Sequence, residues 1–211
     1  KDYKLADGTQ RTWNRTAYDD ATPLYSDNPY WTIYENTSAD ERNRFFGNAG
    51  LTYNFSKKLF ATGKVYGDTY SQTITSQVAI GSAALSEFNI EKRNKSEFNY
   101  EAKLHYNDNF GDLSLNTFAG FNIMNNKMDY LRGNSNGGLV IPGVYNLGNS
   151  RDNATSENRS EQWGTKSLFA SVSLGYKDFL YVEATARNDW FTMLNYDQFY
   201  PSLTGSYVFS S

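Results

Sequence analysis

The chain contains no cysteine, only one histidine and only four prolines among its 211 residues. The absence of cysteine excludes disulfide bonds, thiolate metal sites and cysteine nucleophiles. A single histidine, His105, excludes any site that needs two. No stretch approaches the ~20 consecutive apolar residues of a transmembrane helix. The net charge of −3 provides no basic surface, so we expect no nucleic-acid partner.

Aromatic residues, in contrast, are abundant. They make up 17% of the chain, with 17 Tyr, 14 Phe and 4 Trp, although only 39% of all residues are hydrophobic. A soluble core relies mainly on Leu, Ile and Val, whereas a transmembrane β-barrel gathers aromatic side chains at the two lipid–water boundaries. The mean hydropathy of −0.67 agrees with this interpretation, because half of each barrel strand faces water.

Side chains alternate in character between Ser96 and Tyr106. Every second position is apolar or aromatic, at Phe98, Tyr100, Ala102, Leu104 and Tyr106. The positions between them are polar, at Glu97, Asn99, Glu101, Lys103 and His105. Because successive strand side chains point to opposite faces, the pattern predicts a strand with one apolar and one charged face. These polar residues are too many for a packed core, which favours a wall between lipid and water.

Further segments alternate in the same way. We predict an all-β fold, an antiparallel transmembrane β-barrel segment of about seven to eight meandering strands, with strands near 45–55, 59–70, 96–106, 113–122, 165–176, 180–187 and 201–209. Residues 1–42 are predicted to be an extracellular loop region, and residues 43–211 to hold the strands. Short periplasmic turns should alternate with long, irregular extracellular loops, the longest near 71–95 and 126–162.

The strand count is odd. Bacterial single-chain barrels normally have an even number of strands, and unpaired edges in lipid cost several kcal/mol for each unsatisfied backbone group. We therefore expect either a further strand, near 30–34 or 78–85, or a chain that is part of a larger barrel. The chain begins at Lys1 without a signal peptide, which suggests a piece of a longer precursor.

Several motifs follow one another in a recognisable order. They are NPYW at 28–31, RNRFFGN at 42–48, LTY at 51–53, VIPGVYNL at 140–147, LGYKD at 174–178, ARNDW at 186–190 and YPS at 200–202. This set resembles the barrel region of the SusC/RagA family of TonB-linked outer-membrane transporters from Bacteroidetes. The resemblance covers nearly the whole chain from Asn28 onward, and the ARNDW and YPS pair is its most specific part.

The resemblance implies a location in the cell outer membrane and a 22-stranded barrel, of which this chain would supply roughly a third. It implies four partners: a SusD-like surface lipoprotein, TonB acting through a plug region absent here, outer-membrane lipid and a nutrient substrate. Family members import oligosaccharides, peptides or other nutrients, with energy relayed by TonB. No cofactor is implied.

Aromatic side chains crowd the N-terminal segment, at Trp13, Tyr18, Tyr25, Tyr30 and Trp31. In a functional interpretation they contact the substrate as a platform that stacks on sugar rings or peptide side chains, because an aromatic face offers a large area together with a polar group. In a structural interpretation they fix this segment against the barrel rim or against the lipoprotein lid.

Charged side chains on the predicted inner face form a second candidate group, a lumenal or rim polar network of Glu97, Glu101, Lys103, Arg187 and Asp189. Either Arg187 and Asp189 contact substrate or plug, or they pair across strands within the wall. Glu97 and Glu101 should lie about 13 Å apart at ~3.3 Å per residue. This separation exceeds the ~5–9.5 Å of glycosidase carboxylate pairs.

No catalytic, metal-binding or cofactor site is predicted, so we expect no enzyme. Asp19-Asp20 and Asp40-Glu41 lack EF-hand spacing, and nothing in the sequence places a reactive serine beside His105. The alternative to an importer is a small self-contained outer-membrane barrel with an adhesin or structural role, which needs an eighth strand.

Overall fold

A computed structural model describes residues 2–194 and 196–209. Lys1 and Ser210–Ser211, at the ends of the predicted loop and strand regions, lie outside the described residues, as does Asn195 in the predicted connection before the last strand. The elements are α1 Pro29–Tyr34, β1 Ser38–Asn54, β2 Leu59–Val78, β3 Glu87–Phe110, β4 Leu113–Leu139, a 3₁₀ helix Leu147–Asn149, β5 Ser150–Tyr176, β6 Leu180–Phe191 and β7 Asp197–Tyr207.

The seven strands form one antiparallel sheet in which each strand pairs with its neighbour in the chain, in the order β1 to β7. This arrangement confirms the predicted all-β class and the meander. The register of β5, β6 and β7 places small and apolar residues of neighbouring strands on the same face of the sheet. Ala170 lies opposite Ala186, and Val182 lies opposite Gly205. Across the described residues, no helix has the length and apolar character needed to span a membrane.

Several strands extend far beyond their predicted ends. The prediction of irregular structure over 126–162 is wrong, because β4 continues to Leu139 and β5 begins at Ser150. Polar side chains hold this part of the sheet, with Asn136 Nδ2 donating to Asn153 O at 2.8 Å and Ser160 Oγ donating to Asp129 Oδ1 at 2.6 Å. A strand that is polar on both faces shows no alternation, so its sequence gives no strand signal.

Other observed strand ends differ from the predicted ends for the same reason, namely that the added residues are largely polar on both faces. β2 continues to Val78 and β3 begins at Glu87, which leaves only 79–86 as the connection in place of 71–95. β1 begins at Ser38, within the segment predicted as loop. The sequence of β1 between Ser38 and Arg44 is almost entirely polar, and it therefore lacks a period of two.

The NPYW motif starts a helix. Asn28 is the N-cap, its side-chain oxygen accepting the Tyr30 N–H at 2.9 Å, and Pro29 occupies the first turn. Proline fits this position because the first helical N–H groups have no partner within the helix. The suggested additional strand at 30–34 is therefore wrong, and the one at 78–85 is mostly a connection.

The chain divides into two compact units. The first unit comprises Lys1–Asn43, Tyr70–Asn94 and Asp129–Ser160, and the second comprises Arg44–Thr69, Lys95–Met128 and Glu161–Ser211. Among the described residues, the buried hydrophobic side chains are Trp31, Ala79, Phe88 and Leu139, and all of them belong to the first unit.

The second unit has a sheet with one apolar and one polar face, and its apolar face is open. Leu104, Leu168, Val172 and Val182 remain 49%, 57%, 42% and 41% exposed. We name the surface that carries these side chains the apolar face. It includes the residues that lie directly opposite them on a paired strand or two residues away on the same strand. The opposite surface is the polar face. No described hydrophobic side chain of this unit is buried, so the chain itself does not cover the apolar face.

The register predicts a specific cross-link, which the lack of native cysteine in this chain makes easy to test. Ala170→Cys together with Ala186→Cys should form a disulfide after mild oxidation, because paired Cα atoms of antiparallel strands lie about 4.5–5.5 Å apart. The control, Ala170→Cys with Ala184→Cys, is diagonal at roughly 7–8 Å and should cross-link poorly. Non-reducing peptide mapping measures both, and equal yields would contradict the register.

Candidate functional site

The predicted aromatic residues of the N-terminal segment fall into two groups. Trp13, Tyr18 and Tyr25 are 85%, 98% and 85% exposed, and Tyr30 is 49% exposed. Trp31 is only 3% exposed, and its indole Nε1 donates to Ser82 Oγ at 2.9 Å. Trp31 therefore anchors the segment, whereas the other four present their rings to solvent.

Three of the exposed rings, those of Trp13, Tyr18 and Tyr25, lie on an ordered loop, whereas Tyr30 lies on α1. The bridge between Arg15 and Pro23 closes this loop, and the Thr16 N–H donates to Thr22 O at 2.8 Å. The Leu24 N–H donates to Asn14 O at 2.9 Å. We name residues 13–25 the aromatic loop.

Below this loop, a buried glutamine ties the segment to the β2–β3 connection. Gln10 is 1% exposed, and its Nε2 donates to Asp27 Oδ1 and to Gly81 O, each at 2.7 Å. Its Oε1 accepts the Asn28 N–H at 2.9 Å. Every polar atom of the Gln10 amide group thus has a partner, as burial requires. Nothing in the sequence distinguished Gln10 from its polar neighbours.

Asn36 makes a second set of contacts to the same connection. Its Oδ1 accepts from the Ala79 N–H at 2.9 Å and from Ser82 Oγ at 3.0 Å, while its Nδ2 donates to Asp27 Oδ2 at 3.2 Å. The Asp27 Oδ1 also accepts the Ala83 N–H at 2.7 Å. We name these contacts of Gln10, Asp27 and Asn36 the amide clasp.

An ion pair fixes the start of the chain to the end of α1. Lys4 Nζ lies 2.7 Å from Glu35 Oε1, and the Tyr3 hydroxyl donates to the same oxygen at 2.8 Å. Partial burial opposes ionisation of Glu35, but the hydrogen bonds from Lys4 and Tyr3 outweigh it and lower the pKa of Glu35. The Lys4 pKa is raised, chiefly by its hydrogen bond to Glu35.

The predicted polar network of the second unit consists mainly of ion pairs within single strands. Lys103 Nζ lies 2.9 Å from Glu101 Oε1, and Arg187 Nε lies 2.7 Å from Asp189 Oδ1. Arg187 Nη2 also donates across to Ser167 Oγ at 3.0 Å. Residues two apart on a strand share a face, so all of these charges lie on the polar face.

Aromatic rings connect these charges. Phe169 lies between two cations, with Lys103 Nζ 5.5 Å and the Arg187 guanidinium carbon 5.8 Å from the ring centroid. Phe118 packs edge-to-face on Phe169 at 6.1 Å, and Lys103 Nζ lies 5.6 Å from its centroid. Such contacts contribute roughly 0.5–1 kcal/mol each at exposed sites. Both phenylalanines occupy polar-face positions of alternating strands, but alternation alone does not indicate that they hold the cations.

His105 belongs to the same row of rings. It stacks on Phe60 with centroids 4.5 Å apart, lies 5.6 Å from Phe118 and has Nε2 at 3.2 Å from Thr62 Oγ1. We name Phe60, His105, Phe118 and Phe169, with Lys103 and Arg187, the cation–aromatic row. No described group of three or more His, Cys, Asp or Glu side chains is arranged to hold a metal ion.

Glu97 is the predicted network residue that lies away from this row. It faces Lys95 at 3.8 Å and lines a pocket of about 230 Å³ with Arg44, Asp68 and Asn99. Arg44 Nε donates to Asp68 Oδ1 at 2.8 Å, so a charge pair in this pocket joins β1 to β2. No sequence pattern indicated this pair, because the two residues are far apart in the chain.

Comparison with solved structures identifies the fold. The chain matches the RagAB peptide transporter with a TM-score of 0.73 at 16% identity, over 90% of this chain and 22% of that chain. It matches the RagAB peptide importer in the "closed-closed" state with a TM-score of 0.75 at 16% identity, over 95% and 23%. For the ferric preacinetobactin receptor BauA from Acinetobacter baumannii, the TM-score is 0.50 at 14% identity, over 80% and 28%.

These likenesses establish the fold as an antiparallel segment of the β-barrel found in outer-membrane transporters and receptors. The chain spans less than a quarter of the length of the RagAB chains that it matches. No family model matches the chain, and no curated protein matches it at a significant level.

The cation–aromatic row depends on a glycine. A Cβ atom at Gly120 would lie 2.7 Å from Ala102 O, 2.8 Å from Lys103 Cγ and 3.0 Å from Phe169 Cε2. We expect Gly120→Ala to destabilise the protein by about 1–3 kcal/mol through overpacking, measured by urea unfolding in detergent.

Gly63→Ala is the matched control, because a Cβ atom there meets nothing within 4 Å. Alanine in a strand should stabilise by about 0.5–1 kcal/mol relative to glycine. Equal effects of the two substitutions would show that Lys103 and Phe169 adjust freely to a methyl group, contrary to the packing described.

Proposed function

We propose that the chain is part of a TonB-dependent outer-membrane importer of nutrients that works with a SusD-like surface lipoprotein. The observation that carries the proposal is the open apolar face of the second unit, which lies opposite a charged polar face. An apolar surface that the chain does not cover needs another apolar phase, and barrel strands between lipid and water meet this need.

The hydrogen-bonding requirement of lipid supports the same proposal. A sheet in hydrocarbon must satisfy all its backbone groups, so only a closed barrel is stable there. In the described residues, β1 and β7 lie at opposite edges of the sheet and are exposed along their whole lengths. A small self-contained barrel would need these two strands to pair with each other, so we favour a segment of a larger barrel.

The importing role rests on fold likeness and on the motif resemblance. Two of the matched structures are of the RagAB peptide transporter or importer, and the third is of a ferric preacinetobactin receptor. In the proposed mechanism, TonB acts on a plug inside the complete barrel, the plug rearranges, and oligosaccharide or peptide cargo passes along the polar face. The wall itself performs no covalent chemistry.

The proposal assigns a role to the aromatic loop and to the charged residues of the second unit. The amide clasp holds the aromatic loop in position, so Trp13, Tyr18 and Tyr25 are available to the lipoprotein or to cargo. In the second unit, the cation–aromatic row and the pair Arg187–Asp189 give the lumen a fixed pattern of charge. Ion pairing within the wall keeps these charges satisfied beside lipid.

Membrane insertion tests the first part of the proposal. Ala184→Lys places a charge on the apolar face near the middle of β6, and near the centre of the bilayer it should cost about 2–4 kcal/mol. We expect a reduced yield of folded, heat-modifiable protein in outer-membrane fractions. Thr185→Lys, the neighbouring position on the polar face, should insert normally. Equal yields for both variants would contradict a lipid-facing apolar side.

Partner binding tests the second part. Replacing Trp13, Tyr18 and Tyr25 together with alanine removes three exposed rings while leaving the amide clasp intact. Interface aromatic residues often cost 2 kcal/mol or more when truncated, so we expect at least about 30-fold weaker lipoprotein binding in co-purification and titration. Truncating Phe45 and Phe46 of β1 is the control for loss of exposed rings elsewhere. Unchanged lipoprotein binding by the triple variant would refute this role for the aromatic loop.

A further inference from the structure

β5 has a long first part that lacks a second neighbouring strand. β6 pairs with β5 only from Thr165, opposite Phe191, to Tyr176, opposite Leu180. The last contacts between the two segments lie one residue beyond the Thr165–Phe191 pair. There, Thr192 N donates to Gly164 O at 2.9 Å, and Gly164 N donates to Thr192 Oγ1 at 2.7 Å. Beyond that point, the described chain places no strand beside residues 151–158 on the side away from β4.

We name residues 151–158 of β5 the open edge. All eight of these residues are exposed. In a strand, backbone groups point alternately to the two sides, so roughly half of the N–H and C=O groups of this segment point away from β4. The contact of Asn136 Nδ2 with Asn153 O shows that β4 holds the segment from its other side. The open edge is therefore already extended before anything binds to it.

The side chains of the open edge do little to block pairing. The segment reads Arg151, Asp152, Asn153, Ala154, Thr155, Ser156, Glu157 and Asn158, without the proline or lysine that commonly protects natural edges. Its charges are nearly balanced, and its other side chains are small and uncharged. The side chains of this segment therefore neither strongly repel an added strand nor select strongly among strands of different charge.

We propose that the open edge binds peptide cargo in extended form, as an added strand. The proposal rests on the importing role above and names its substrate class. An open strand edge presents donors and acceptors that repeat every two residues, about 6.6 Å, and only another polypeptide backbone carries the matching series. An oligosaccharide has no such series of N–H groups. Because the contacts are made by backbone atoms, binding tolerates many peptide sequences of about eight residues, or ~26 Å.

Alternating backbone methylation gives a sharp test. The complete protein, purified from outer membranes without the lipoprotein, is titrated by fluorescence anisotropy with a labelled octapeptide rich in Ser, Thr and Ala. Two derivatives carry N-methyl groups, one at the odd and one at the even positions. We expect one derivative to bind at least tenfold more weakly and the other to bind within twofold of the parent, because alternate N–H groups face the edge.

Disulfide trapping locates the site. A peptide with one cysteine should cross-link to a Thr155→Cys variant and not to a Ser173→Cys variant, because β6 covers β5 at Ser173, which lies opposite Glu183. Maltooligosaccharides should not compete with the peptide. Trapping at Thr155, together with the alternating effect, supports the proposal.

Several results would overturn it. The first is that the parent peptide does not bind at all. The second is that both methylated derivatives bind more weakly by the same factor, and the third is that no cross-link forms at the Thr155→Cys position. Each result would show that the open edge is covered or that the peptide binds elsewhere. The Ala184→Lys experiment separates this failure from that of the proposed function. If the apolar face governs insertion but no peptide binds the edge, only the inference on cargo fails.

Discussion

Backbone hydrogen bonding between neighbouring strands is the interaction on which this chain depends. Most domains bury a core and add a ladder of hydrogen bonds to it, but here the described buried hydrophobic side chains are Trp31, Ala79, Phe88 and Leu139. None of them belongs to the second unit. The ladder keeps the strands in register, and the two-residue period of the strands then sorts side chains between the two faces. This sorting leaves an apolar face that the described residues do not cover.

Different side-chain contacts stabilise the inside of each unit. In the first unit, the amide clasp of Gln10, Asp27 and Asn36 fixes connections that have no regular structure of their own. In the second, rings and cations pack in a row along the polar face, with Phe169 between Lys103 and Arg187. Each unit therefore holds its exposed side chains in a fixed arrangement.

The sequence predicted the fold class and the strand count because alternation from Phe98 to Tyr106 reflects a boundary between apolar and polar surroundings. It failed where that boundary is absent, as between Asn126 and Leu139, where both faces of β4 are largely polar. The candidate site was predicted only in part. The ring-bearing positions and charged residues were identifiable, but not Gln10 or the Arg44–Asp68 pair, because their partners are distant in sequence and polar residues show no period.

The exposed lengths of β1 and β7, together with the open apolar face, also bear on biogenesis. In the proposed outer-membrane location, the chain would present to water, before insertion, the same apolar surface and the same unpaired edge backbone groups that lipid and adjoining strands would cover afterwards. Segments of this kind associate with one another readily. Under that proposal, delivery would require chaperones that shield these strands until the barrel is assembled.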